Sequence, residues 1–239
     1  KQYQNSKYSL VCILTDIIYV LKSGVSWRNL RSNINYRTIY YHFQRFVKNN
    51  IFYKTFSYIR DKYLEIKQQS NISIIDTSFI QNKFGKNKIT RNKFFKNKNC
   101  NKISLIIDSN KFPLSILIDS GSKHDIKFMS EHFNDFDVLY YYSKKTIKRT
   151  LLADKAYESK DLRNQLVEKY NTDLMIPSKI NSKNSTFFDL NIYKKRIFIE
   201  HTFAYIKQYK RINMRFDSNF NTFSNFIFLA FSCISIPLI

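Results

Sequence analysis

The stretch ISLIIDSNKFPLSILIDSG, residues 103–121, sets two apolar runs on either side of Ser109-Asn110-Lys111. Short runs rich in Ile, Leu and Phe and bounded by turn formers read as strands, and so tight a connection reads as a hairpin. Outward from it, residues 72–77 (ISIIDT), 151–154 (LLAD) and 173–176 are three more short apolar runs. Helical periodicity covers 124–133, 159–169 and a long stretch of roughly 190–210. A meander of strands succeeded by strand–helix alternation predicts a mixed α/β sheet flanked by helices.

Before the sheet the texture is helical. Residues 8–23 (YSLVCILTDIIYVLKS) carry apolar residues at helical spacing and end at Gly24, a C-cap. Asn35 caps a second helix, YRTIYYHFQRFVKN, in which Arg37, His42, Arg45 and Lys48 alternate with aromatics; a third covers roughly 51–68. These predict a small all-helical module over 1–68, either helix-turn-helix-like and DNA-contacting or a bracket packed on the sheet, with a second domain over 69–239. The apolar stretch 223–238 is short for a membrane span and is interrupted by Ser224, Asn225, Ser232, Ser235 and Pro237, so a buried terminal helix and no membrane association are expected. The chain opens at Lys1 without an initiator Met and without a signal peptide, and some N-terminal sequence is expected to be missing.

Lys and Arg number 40 against 18 acids, a formal net charge of +22. A field of that sign attracts polyanions, nucleic acid first among them. Between the first two strands, residues 81–102 carry Lys83, Lys86, Lys88, Arg91, Lys93, Lys96, Lys98 and Lys102 and no acid. They are expected to form a flexible DNA-contacting arm, with a solvated loop as the alternative. The three cysteines, Cys12, Cys100 and Cys233, have no zinc-site spacing and suggest no disulfide framework. They read as thiols of a reducing, intracellular compartment where DNA is present.

Asp76 and Asp154 each end an apolar run, as do Asp108 and Asp119. A carboxylate at a sheet end is a hard oxygen ligand for a divalent cation, and equally a turn former. The long helix separates these readings. It carries Tyr193, Arg196, Glu200 and Lys207 at offsets of three, seven and fourteen, which at roughly 100° per residue fall within about 60° of arc. One acid between two cations and a phenol makes a poor buried stripe but a reasonable surface for presenting a metal ligand beside phosphates.

The pattern Tyr193-(2)-Arg196-(3)-Glu200-(6)-Lys207 resembles the signature of the DDE transposases of a large group of bacterial insertion sequences. IIDTSFIQ around Asp76 is similar to the family's first-acid strand and LLADKAYES around Asp154 to its second-acid motif. SNKFPLSILIDSGSKHD is similar to its strand-turn-strand leading to Gly121 and His124-Asp125, and YVLKSGVSWRNL to the helical region before the catalytic core. Two positions depart from it: Ala156 stands where the family usually has Gly, and the hairpin turn lacks its common Gly, with Lys111 a candidate substitute. The resemblance implies a ribonuclease-H-like catalytic core in which Asp76, Asp154 and Glu200 hold two Mg²⁺ or Mn²⁺ ions, Asp76 bridging both. It implies that Tyr193, Arg196 and Lys207 contact DNA, and the charge run at 81–102 adds Lys83, Lys86, Lys88, Arg91 and Lys93 as expected DNA contacts. Double-stranded DNA, as element ends and target, is the implied partner, bound by a homodimer. The alternatives are a metal-dependent nuclease without strand transfer and an inactive or recruited DNA-binding protein.

Overall fold

The computed structural model describes residues 8–67, 70–134, 147–177 and 188–239. Three helices come first: α1 (Leu10–Ser23), α2 (Tyr36–Lys48) and α3 (Ile51–Ile66). Their ends obey the capping chemistry of the sequence. The Ser9 side chain accepts the Val11 N–H, the Asn35 side chain accepts the Arg37 N–H, and Gly24 closes α1 at φ 72° with its N–H on the Val20 carbonyl.

Among the described residues, seven strands form one sheet: β1 (Ile72–Asn82), β2 (Thr90–Asn92), β3 (Lys98–Asp108), β4 (Pro113–Ser120), β5 (Arg149–Leu152), β6 (Thr172–Met175) and β7 (Met214–Arg215). The main order is β4-β3-β1-β5-β6, with β3 antiparallel to β1 and to β4, and β1, β5 and β6 mutually parallel. That is the expected ribonuclease-H-like sheet: a three-stranded meander extended by two parallel strands. Helices α4 (Asp125–Asn134) and α5 (Lys160–Tyr170) precede β5 and β6 respectively. After β6 come α6 (Leu190–Tyr193), a 3₁₀ turn over Lys194–Arg196, α7 (Ile197–Ile206), α8 (Lys210–Asn213) and α9 (Phe220–Ser235).

Because side chains alternate across a strand, β1 and β3 each feed two cores. Ile74, Ile103 and Leu105 face a large cluster with Ile17, Phe43, Ile199 and Phe226, whereas Ile75 and Ile106 face a second with Met129, Leu166 and Leu174. Helix α9 is the centre of the first: Phe226 stacks on Phe43 at 4.5 Å, and Trp27 lies 5.1 Å from Phe43. Phe220–Leu238 is long and apolar enough to cross a membrane by composition, yet 67% of it is buried inside the protein, as expected for a terminal core helix. The core therefore runs from α1 through the sheet to α9. The domain boundary expected at 68/69 lies outside the described residues.

Three local features differ from expectation. Residues 72–77 are only the first half of β1, so Asp76 lies inside a strand and opposite Leu105 of β3 rather than at the strand's end. The reason is one-sided pairing: β5 stops opposite Ile74, while β3 continues to pair as far as Gln81. The long helix is interrupted by the 3₁₀ turn at 194–196. The basic segment 81–102 is no flexible arm but part of the sheet, with β2 paired to β3 and Lys83 and Lys86 donating backbone N–H groups to Arg215 and Ser218 carbonyls. Arg215 anchors it. Its fully buried guanidinium donates to the Asn87 carbonyl and side-chain oxygen, Asn101 Oδ1, and the Asp217 and Ser218 carbonyls.

Candidate active site

The end of the sheet at β1 and β5 carries the two strand-borne acids. Asp76 emerges from β1 just past the last residue that β5 pairs. Asp154, two residues beyond β5, caps a 3₁₀ turn (Lys155–Tyr157) by accepting the Lys155 N–H. Asp76 is mostly buried, and burial pushes its carboxyl above the usual range; Arg196 and the Thr77 N–H oppose that shift and the Asp154 charge adds to it. The two acids therefore lie within electrostatic reach of one another.

The signature helix closes over this end. Arg196 Nη2 donates to Asp76 Oδ2 at 2.7 Å, Arg196 Nη1 to the Tyr193 hydroxyl at 3.0 Å, and the Tyr193 hydroxyl to the Ala153 carbonyl at 3.3 Å. One relay thus ties the helix to both acid-bearing segments. Lower down, Lys207 Nζ donates to Ser78 Oγ at 2.6 Å, and burial lowers its pKa. Tyr193, Arg196 and Lys207 face the sheet rather than forming the open surface stripe that their spacing suggests. Glu200, on the same stripe by register, is exposed. Among the described residues no three His, Cys, Asp or Glu side chains stand close enough together to hold a metal ion.

The two rival acids, Asp108 and Asp119, have structural roles. Asp108 is buried, accepts the Asn110 and Phe112 N–H groups at 2.9 and 2.8 Å and the Tyr63 hydroxyl at 2.5 Å, and so organises the hairpin turn. Lys111 takes the left-handed conformation of that turn at φ 68°, the place where a glycine would sit without strain. Ala156 is not among the residues with positive φ, so its Cβ costs nothing there. Asp119 pairs with Lys123 at 2.9 Å and Lys88 at 4.0 Å.

Sequence reasoning missed a second layer beside Asp76. Thr77 Oγ1 and Lys102 Nζ both donate to Asp125 Oδ1, at 3.0 and 2.9 Å. Lys102 is therefore a buried, internally paired cation rather than part of an exposed basic arm. Asp125 also sits in the first turn of α4, which suits its charge. The signal for this pairing was the alternation of β3, which turns Lys102 to the face opposite Ile103. Of the remaining basic residues, Lys83, Lys86, Lys88, Arg91 and Lys93 all lie on the ordered β1–β3 connection; Lys88 covers the Phe220 ring at 4.8 Å and Lys93 the Phe94 ring at 5.2 Å. His124 and His201 are exposed.

Only part of the expected donor set is assembled, since Asp76 and Asp154 are brought to one sheet end and Glu200 does not join them in a cluster of three. Two carboxylates, one of them desolvated, repel each other and present hard oxygens, and Arg196 supplies the counter-charge at Asp76 that an ion would otherwise supply.

No curated protein matches the chain. Among solved structures it is similar to the piggyBac transposase in a synaptic complex with hairpin DNA, at 9% identity over 70% of this chain and 46% of that one, with a TM-score of 0.47. The catalytic domain of Mos1 mariner transposase is similar at 12% identity, covering 77% of this chain and 90% of that one at a TM-score of 0.33, and the Mos1 strand transfer complex at 11%, 74% and 56% with a TM-score of 0.36. The chain thus spans less than half the length of the piggyBac protein. A family model described as a transposase DDE domain matches residues 67–236, which include both strand-borne acids, the hairpin and the whole signature helix. The chain belongs to the transposase DDE domain family.

Proposed function

We propose that this protein is a DNA transposase of the bacterial insertion-sequence group with the Tyr-(2)-Arg-(3)-Glu-(6)-Lys signature, cutting element ends and joining them to target DNA. The observation that carries the proposal is the Arg196–Asp76 ion pair at 2.7 Å, in which the signature helix meets the first acid beside the second. Asp76 and Asp154, with Glu200 as the third ligand, would hold two Mg²⁺ or Mn²⁺ ions. Divalent metal in such a site supplies activation of the attacking oxygen and stabilisation of the leaving oxygen.

The chain's own groups do the positioning. Tyr193, hydrogen-bonded between Arg196 and the Ala153 carbonyl, holds the guanidinium over Asp76. Arg196 and Lys207 place two cations beside β1, on Asp76 and Ser78, where they would grip phosphates of a bound strand. Partial burial around Asp76 strengthens the Arg196 contact by lowering the local dielectric. Residues 1–68 would contact DNA as a helical module preceding the catalytic domain at 69–239, and two copies would assemble on paired element ends, in a compartment where DNA is present.

The test is a strand-transfer assay on the DNA flanking the gene, with Mg²⁺ or Mn²⁺. Joined product from the native protein, with binding but no cleavage for Asp76→Asn, Asp154→Asn and Glu200→Gln, supports the proposal. Nicking without joining would make the protein a nuclease, and cleavage retained by any one variant would remove that residue from the ligand set.

A further inference from the structure

Past Ile74 the first strand is supported on one side. Strand β5 pairs with β1 over Ile72, Ser73 and Ile74, and β7 joins it at Gln81. From Ile75 to Ile80 its one strand partner among the described residues is β3. Asp76 and Thr77 lie in that span, and the alternation of a strand turns their side chains to opposite faces of the sheet. Asp76 meets Arg196 on the face of the signature helix, while Thr77 meets Asp125 of α4 on the other. One peptide joins the two faces: the Thr77 N–H donates to Asp76 Oδ1 at 2.7 Å, leaving Oδ2 to Arg196.

The rear face holds the Thr77 hydroxyl firmly. Its acceptor, Asp125 Oδ1, also accepts Lys102 Nζ at 2.9 Å, and that ammonium donates to the Lys123 carbonyl at 2.9 Å and lies over the Phe79 ring at 5.0 Å. The Lys102 side chain is only 7% exposed. Such a pair contributes little net stability, because desolvating both charges offsets their attraction. What it supplies that an apolar pair could not is a fixed acceptor behind Asp76. We propose that Thr77 is a positioning residue for DNA cleavage: its hydroxyl is clamped by the Asp125–Lys102 pair, so that its N–H holds the Asp76 carboxylate in place. The proposal rests on the transposase reading, with Asp76 as a metal ligand, and adds the groups that orient that ligand from behind the sheet.

Mn²⁺ binding is measured by calorimetry without DNA, beside thermal melting and DNA cleavage over a range of Mn²⁺ concentrations. Thr77→Val keeps the shape of the side chain and loses its hydroxyl. It should bind Mn²⁺ about tenfold more weakly, the low end of what loss of an orienting hydrogen bond costs a metal site. It should also melt close to the native protein and regain cleavage as Mn²⁺ is raised. Thr77→Ser, which keeps the hydroxyl, should bind Mn²⁺ as the native protein does. Asp125→Asn, which breaks the pair with Lys102, should weaken Mn²⁺ binding too, and Thr77→Val added to it should cost little more. Native Mn²⁺ affinity in Thr77→Val, whether or not it melts lower, or a loss that Thr77→Ser shares, overturns the positioning role. If the native protein still joins DNA in that case, the transposase reading stands without it; if the native protein binds no Mn²⁺, both fail.

Discussion

Arg196 stands on Asp76 where a metal ion is expected to bind: its Nη2 lies 2.7 Å from Asp76 Oδ2, and its Nη1 is held by the Tyr193 hydroxyl. A cation arriving at Asp76 must displace or share that contact, so the arginine and the metal compete. Arg196→Met should therefore tighten Mn²⁺ binding by about tenfold, equivalent to ~1.4 kcal/mol, read by calorimetry in the absence of DNA. Unchanged or weakened Mn²⁺ affinity would show that Arg196 does not compete for the carboxylate.

Lys111 bears the positive φ of the hairpin turn, at 68°, with its ammonium 5.1 Å from the Phe198 ring. Lys111→Gly relieves the backbone but loses that contact, so its stability should differ from the parent by less than ~1 kcal/mol. Lys111→Ile, β-branched in a conformation such residues avoid, should cost about 2 kcal/mol. Chemical denaturation of the pair checks this, and equal midpoints for the Gly and Ile variants would contradict it.

His132 is fully buried between Ser115 Oγ at 2.8 Å and Ser104 Oγ at 2.9 Å. Burial first, and the Lys123 charge second, push its pKa down to about 3. A depressed pKa means that the unfolded chain binds the proton first. Its contribution is present above the unfolded value near 6.5 and is lost as pH falls towards 3, at up to ~1.4 kcal/mol per pH unit. Thermal melts from pH 7 to pH 4 should show this acid sensitivity, and His132→Gln should flatten it relative to the native protein.

Arg215 is the buried post to which the basic β1–β3 connection is tied. Arg215→Met leaves the acceptors Asn87 and Asn101 Oδ1 without their charged donor, at a cost of roughly 2–4 kcal/mol. The residues from Lys83 to Lys98 should then become the first sites cut by trypsin under native conditions. A native-like digestion pattern would mean the connection is held by its strand pairing alone.

Five of the strands, the hairpin and the caps at Gly24 and Asn35 were legible because each depends on local chemistry: apolar runs, turn formers, and groups that satisfy helix ends. Asp154 was legible as an acid just past a strand for the same reason. What could not be read was set by partners distant in the chain. Asp76 sits within a strand because β3 extends further than β5. Lys102 looked like one more cation of a basic run until Asp125, 23 residues away, claimed it. Arg215 gave no sign of being buried, since its neutral acceptors at Asn87 and Asn101 lie more than a hundred residues back. Helical spacing put Arg196 and Glu200 on one stripe, but it could not say that the first would lie on Asp76 while the second stayed exposed.

The stacking of Phe226 on Phe43 and Trp27 joins the last helix to the first helices. During synthesis, the aromatic faces of α1–α3 are made long before α9 leaves the ribosome, and until then the part of them that α9 covers stays open. A premature stop before residue 220 would leave that surface permanently uncovered, yielding an aggregation-prone product rather than a smaller working one.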